Sequence, residues 1–127
     1  MSWSYFTTID GIMQKEDATN EEFNVPERLK ELYEVGDYGQ YADKDGNLRI
    51  NFISNNDITG GNSGSPVINA WGEIVGTAFD GNWEAMSGDI AFEKEIQRTI
   101  SVDIRYTMFI IDKYARATHL IDEMTMA

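Results

Sequence analysis

The chain has no cysteine, a single histidine, and no uninterrupted apolar run near the ~18 residues of a membrane-spanning helix. Without cysteine there is no disulfide framework and no thiolate chemistry, and the redox compartment stays open on that ground. Met1-Ser2 leads directly into folded-looking sequence, with neither a basic segment nor an apolar stretch of the kind that opens a secretory signal. Basic residues are also scarce: 10 against 22 acidic ones, a formal charge of −12. Such a surface repels phosphate backbones and anionic lipids, so nucleic acid and membrane partners are not expected.

What is present is ordinary globular material. The 127 residues suit one domain, with 42% hydrophobic and 12% aromatic residues. That length is short for a complete two-barrel β-protein, which takes roughly 200 residues or more.

Residues 3–13 are aromatic and β-branched and predict a short strand broken at Gly11. Residues 14–24 are polar and acidic and predict a loop. A helix is expected from Asn24-Val25-Pro26, with proline near the first helical position, an apolar face of Leu29, Leu32 and Tyr33, and a stop at Gly36. Asp43-Lys-Asp-Gly-Asn47 resembles the start of a calcium loop. With Asp43 as first ligand, however, the sixth position is Leu48 rather than glycine and the twelfth is Ser54 rather than glutamate, which leaves a hairpin turn.

Leu48–Ser54 alternates apolar and polar, as a half-buried strand does. Pro66–Ile68 and Glu73–Phe79 predict two strands joined through Asn69-Ala-Trp-Gly72. Residues 80–99 read as mixed loop, and Val102 to about Ala117 as a closing helix on the spacing of Ile104, Met108, Ile111 and Tyr114.

The chemically informative segment is Thr59-Gly-Gly-Asn-Ser-Gly-Ser-Pro-Val67, a serine among small residues just before an apolar strand. An attacked carbonyl becomes an oxyanion and needs preorganised donors about 2.7–3.1 Å away. Backbone N–H groups of Gly61 and Ser63 can converge in this way only at a sharp bend, which glycine permits. Gly64 would let a substrate backbone pass without meeting a side chain. Runs of glycine, asparagine and serine are most often plain turns, but here the run sits between an alternating strand and a β-hairpin. Gly61–Val67, followed by Asn69, Gly72, Ile74, Val75 and Gly76, matches the arrangement around the nucleophile of chymotrypsin-like peptidases.

Further segments narrow this resemblance. Phe79–Ile90, Arg98–Tyr106 and Phe109–Ala115 resemble the C-terminal region of the bacterial dipeptidyl-peptidase 7 and 11 family. Thr7–Ile12, Val25-Pro26, Leu29–Tyr33 and Leu120–Met124 fit the same pattern. The resemblance implies a serine exopeptidase of the periplasm or cell surface that releases dipeptides from peptides with a free N-terminus and uses no cofactor or metal. The implied fold is mainly β with flanking helices, part of a chymotrypsin-like double β-barrel: the second barrel plus a C-terminal helix, with residues 1–127 a single C-terminal fragment.

Carried over by position, Ser63 matches the nucleophile and Gly61 with Ser63 the oxyanion hole. Asp80 matches a residue that helps hold the substrate's α-ammonium, and a carboxylate suits that task through charge-assisted hydrogen bonds. Gly81 matches the position that sorts specificity: arginine there goes with acidic residues at the cleavage site, while glycine leaves room for apolar ones. Arg98 and Arg105 are cations nearby in sequence, read as members of surface or helix ion pairs.

A serine hydroxyl needs a general base, usually a histidine oriented by a carboxylate, and in the chymotrypsin order both precede the serine. Residues 1–62 contain no histidine. His119 comes after Ser63 in a terminal helix and is read as a surface or capping residue; with Asp122 and Glu123 it lacks a usual zinc set. The base, its acid and the first barrel are therefore expected outside this chain, which alone should be inactive. Two other readings compete: a peptidase-like module that binds without catalysis, and a glutamate-specific endopeptidase sharing Gly-Asn-Ser-Gly-Ser-Pro. Homodimerisation of the whole protein is left open.

Overall fold

The computed structural model describes residues 4–82 and 96–127, which divide into two compact units: residues 4–6 with 51–82 and 96–104, and residues 7–50 with 105–127. The first unit carries most of a five-stranded sheet in the order β1-β2-β5-β4-β3. Its strands are β1 (Phe6–Thr8), β2 (Arg49–Ser54), β3 (Pro66–Ile68), β4 (Ile74–Gly81) and β5 (Thr99–Asp103). The pairs β2/β5, β4/β5 and β3/β4 are antiparallel. The architecture is thus mainly antiparallel sheet with flanking helices, as the sequence implied.

The central strand is one that pattern reading missed. Residues 80–99 were expected as loop, with a helix from Val102. Instead β4 runs on to Gly81, β5 spans Thr99–Asp103, and the helix starts only at Ile104. Thr99-Ile-Ser-Val-Asp103 does alternate, but with its polar side inward: Thr99, Ser101 and Asp103 are buried and Ile100 and Val102 only half-buried. A strand that buries its polar row carries no ordinary hydrophobic signal. The part of the expected loop over residues 83–95 lies outside the described residues.

The β3–β4 hairpin forms as expected. Asn69 Oδ1 accepts from the amides of Trp71 and Glu73 at 3.0 Å each, and Gly72 takes φ +80°, the left-handed value that favours glycine. Gly76 has no room for a side chain: a Cβ there would lie 2.7 Å from both the Phe52 ring and the Val102 carbonyl.

In the second unit, helix α1 (Ile9–Gln14) runs through Gly11, which was expected to end a strand. Glycine inside a helix costs about 1 kcal/mol relative to alanine. Burial of Ile9 and the bond from its amide to the Leu48 carbonyl, 3.0 Å, outweigh that preference. Helix α2 (Glu27–Val35) starts after Pro26, buries Leu29 and stops at Gly36 with φ +69°. A 3₁₀ turn (Gly39–Tyr41) comes next.

Asp43–Asn47 forms a turn, although it leads from the 3₁₀ turn into β2 rather than joining two strands. Asp43 is occupied there: one carboxylate oxygen accepts the amides of Asp45 and Asn47, and the other accepts Arg49 Nε at 2.8 Å.

The expected closing helix forms as α3 (Ile104–Phe109) continuing into a π-helical turn (Ile110–Tyr114), and a separate short helix, α4 (Thr118–Asp122), follows it. Arg28 of α2 holds the π-helical turn, donating Nε to the Tyr114 carbonyl and Nη2 to the Lys113 carbonyl, 2.8 Å each. Tyr41 donates to Asp112 at 2.7 Å, and burial together with that bond pushes its phenol above the ordinary value. Among the described residues no helix is long and apolar enough to cross a membrane.

Candidate active site

Between β2 and β3 the chain runs through an exposed loop whose two ends are tied down. At the entry, Thr99 Oγ1 donates to the Asn56 carbonyl at 2.7 Å. At the exit, the Gly64 amide donates to the Ala78 carbonyl at 2.8 Å, and the Ala78 amide to the Ser65 carbonyl at 2.9 Å. Gly61 and Gly64 take φ +97° and +88°. A Cβ on either would meet nothing within 4 Å, so the requirement for glycine is conformational rather than steric.

Ser63 lies at this bend with its side chain exposed. Its Oγ is 3.5 Å from the Phe79 carbonyl oxygen, the outer limit of a hydrogen bond, so the hydroxyl is loosely held. Among the described residues no group accepts from the amides of Gly61 or Ser63. The bend therefore presents a hydroxyl and two unspent N–H donors to solvent.

The neighbouring strand explains why the Phe79 carbonyl is there to be met. β4 and β5 pair at Ala78↔Ser101 and then at Asp80↔Ile100, so Phe79 is an extra residue on the β4 side. Such a bulge re-aims the residues after it and is common beside active sites. Asp80 and Gly81 come directly next. Asp80 is exposed, with one oxygen accepting the Gly81 amide at 2.8 Å and the other making no bond among the described residues. Gly81 pairs with Thr99 and has no positive φ.

The structure thus brings Ser63, Gly61, Asp80 and Gly81 into one unit, the serine loop adjoining the end of β4. Arg98 lies just before β5. Its amide donates to Asn82 Oδ1 at 2.9 Å and its Nη1 to the Gln97 carbonyl at 2.7 Å, so it is bonded into the backbone around it. Arg105 lies in α3 and His119, exposed, in α4, both in the second unit. The first unit contains no histidine.

Two contributors were not singled out by sequence. One is the Phe79 carbonyl, at a bulge that no residue pattern announces. The other is the side chain of Asn62, whose Oδ1 accepts from Thr59 N at 2.9 Å and Thr59 Oγ1 at 3.1 Å. The Thr-x-x-Asn spacing could have suggested it, since asparagine readily bonds nearby backbone.

A family model described as Peptidase S46 matches residues 1–126. Dipeptidyl-peptidase 7 of Phocaeicola vulgatus is 60% identical over 124 residues, 98% of this chain and 17% of that protein. The Asp/Glu-specific dipeptidyl-peptidase of Porphyromonas endodontalis is 52% identical over 118 residues, 93% of this chain and 16% of that protein. The crystal structure of Porphyromonas endodontalis DPP11 in complex with the dipeptide Arg-Glu matches with a TM-score of 0.92 at 49% identity, over 97% of this chain and 18% of that one. The chain spans less than a fifth of each of these relatives.

Proposed function

The chain belongs to the peptidase S46 family, and from that premise we propose that it is the nucleophile-bearing segment of a serine-type dipeptidyl-peptidase. The observation that carries this reading is the Ser63 bend: an exposed hydroxyl beside two amides with no acceptor of their own among the described residues. In the proposed reaction Ser63 Oγ attacks the peptide carbonyl while a histidine outside this chain takes its proton. The Gly61 and Ser63 amides then stabilise the resulting oxyanion, a contribution on the order of 10²–10³ in rate per donor.

The release of dipeptides requires a group that recognises the substrate's free amine. Asp80 supports that assignment through its unspent carboxylate oxygen, at the strand end adjoining the serine loop. Gly81 presents no side chain at the next position, which supports a broad or hydrophobic preference at the cleavage site rather than an acidic one. A periplasmic or cell-surface location suits an exopeptidase of this class.

The isolated chain is a separate case. Without a base it should show no measurable hydrolysis, because a triad lacking its base loses most of its rate enhancement. For the isolated chain a non-catalytic reading is favoured by the lack of any histidine in the first unit. Assay of dipeptidyl substrates with the full-length protein, its Ser63→Ala variant and the isolated chain tests both statements. Hydrolysis and fluorophosphonate labelling only by the intact full-length protein is the expected result. Undiminished activity of Ser63→Ala would exclude the serine mechanism, and strong hydrolysis by the isolated chain would exclude an external base.

A further inference from the structure

We propose that Asn62 is a positioning residue for the oxyanion hole, acting through Thr59; this rests on the peptidase reading above. Residues 59–62 are all exposed, and among the described residues they make no hydrogen bond to anything outside 59–65. Gly60 and Gly61 lie between the two partners, and a Cβ on either would find no atom within 4 Å. Among the described residues, packing therefore does not hold this bend from outside. Two adjacent glycines are also the most flexible pair a chain can carry.

A reciprocal closure between its ends fixes the bend. The Asn62 amide donates to the Thr59 carbonyl at 3.2 Å, while Asn62 Oδ1 accepts both the Thr59 amide at 2.9 Å and its hydroxyl at 3.1 Å. The Asn62 carbonyl in turn accepts the Ser65 amide at 2.9 Å. One residue thus links the flexible Gly60-Gly61 segment, through its side chain and amide, to the part of the loop already pinned by Ala78, through its carbonyl. The gain is preorganisation: the Gly61 and Ser63 amides are fixed before an oxyanion forms, rather than ordered at that moment.

The clamp acts on transition-state stabilisation, so it separates kcat from KM. In the full-length protein, Asn62→Ala should lower kcat on the order of 10²-fold, the scale of a misplacement of about 1 Å, with KM within about twofold. Binding of a peptide boronic acid, which forms a tetrahedral adduct, should weaken by a similar factor. Asn62→Asp, which keeps an acceptor for both Thr59 donors, should recover most of the lost kcat. Thr59→Val removes only the hydroxyl and should fall in between, while Thr59→Ser should match the parent; this pair decides the matter if Asn62→Ala fails to fold.

Wild-type kcat in both Asn62→Ala and Thr59→Val, or a rise in KM with kcat unchanged, would overturn the clamp. Ser63→Ala in the same assay separates the two readings. If it retains activity, the serine mechanism itself fails; if it is inactive while Asn62→Ala is fully active, only the clamp does.

Discussion

Ser63 Oγ lies 3.5 Å from the carbonyl oxygen of Phe79, the residue at which β4 slips out of register with β5. The contact joins two local irregularities, a strand bulge and a glycine-made bend whose Gly61 and Ser63 amides have no acceptor among the described residues. In regular β-structure those amides and that carbonyl would be consumed by ladder bonds.

Specificity is expected to turn on Gly81. Its backbone lies in the strand with no positive φ, so an arginine can be placed there without backbone strain. In the full-length protein, Gly81→Arg should raise the ratio of kcat/KM for substrates with Glu over Leu at the cleavage site by at least about tenfold, the scale of one charge-assisted pair. An unchanged ratio would remove Gly81 from the pocket.

Gly76 makes a prediction about the sheet. A methyl group there meets the Val102 carbonyl as well as the Phe52 ring at 2.7 Å, and the backbone atom cannot swing away. Gly76→Ala should destabilise the protein by about 1–3 kcal/mol, read as a lower urea midpoint with little change in slope. A stability equal to that of the parent would show that β5 can shift.

Arg28 should matter to the second unit. Replacement by methionine keeps the apolar stem but strands the carbonyls of Lys113 and Tyr114. A loss of about 2 kcal/mol is expected, with Arg28→Lys intermediate because lysine cannot reproduce the fork. The same urea titration measures it.

Asp43 supplies an acid-stability prediction. The Arg49 hydrogen bond first, and the Asn47 amide next, hold its carboxyl down to about 2, below the value of about 3.9 expected when unfolded. The folded state therefore binds the proton less readily than the unfolded one. Asp43 contributes stability above pH ~4 that is lost as pH falls towards about 2. The amide of an asparagine cannot titrate, so Asp43→Asn should flatten the dependence of the unfolding midpoint on pH within that window. An unchanged slope would mean that the ion pair makes no net contribution.

The sequence was most legible where local chemistry decides structure. Glycine and asparagine set the Asn69–Gly72 turn, Pro26 and Gly36 bracket α2, and the alternation of Leu48–Ser54 marks β2, because each depends on neighbours a few residues away. Legibility failed where long-range contacts overrule such rules. Ile9 and its bond to Leu48 draw Gly11 into a helix, and pairing on both sides turns Thr99–Asp103 into the central strand with its polar row buried.

By itself the sequence determined that a serine stands at a glycine bend before a hairpin, and that residues 1–62 hold no histidine. Only the tertiary structure decided which backbone groups around that serine stay unspent. That outcome depends on the register of β4 against β5 and on the closure between Thr59 and Asn62, and hydrogen-bond pairing across space is not written in the spacing of residues along a chain.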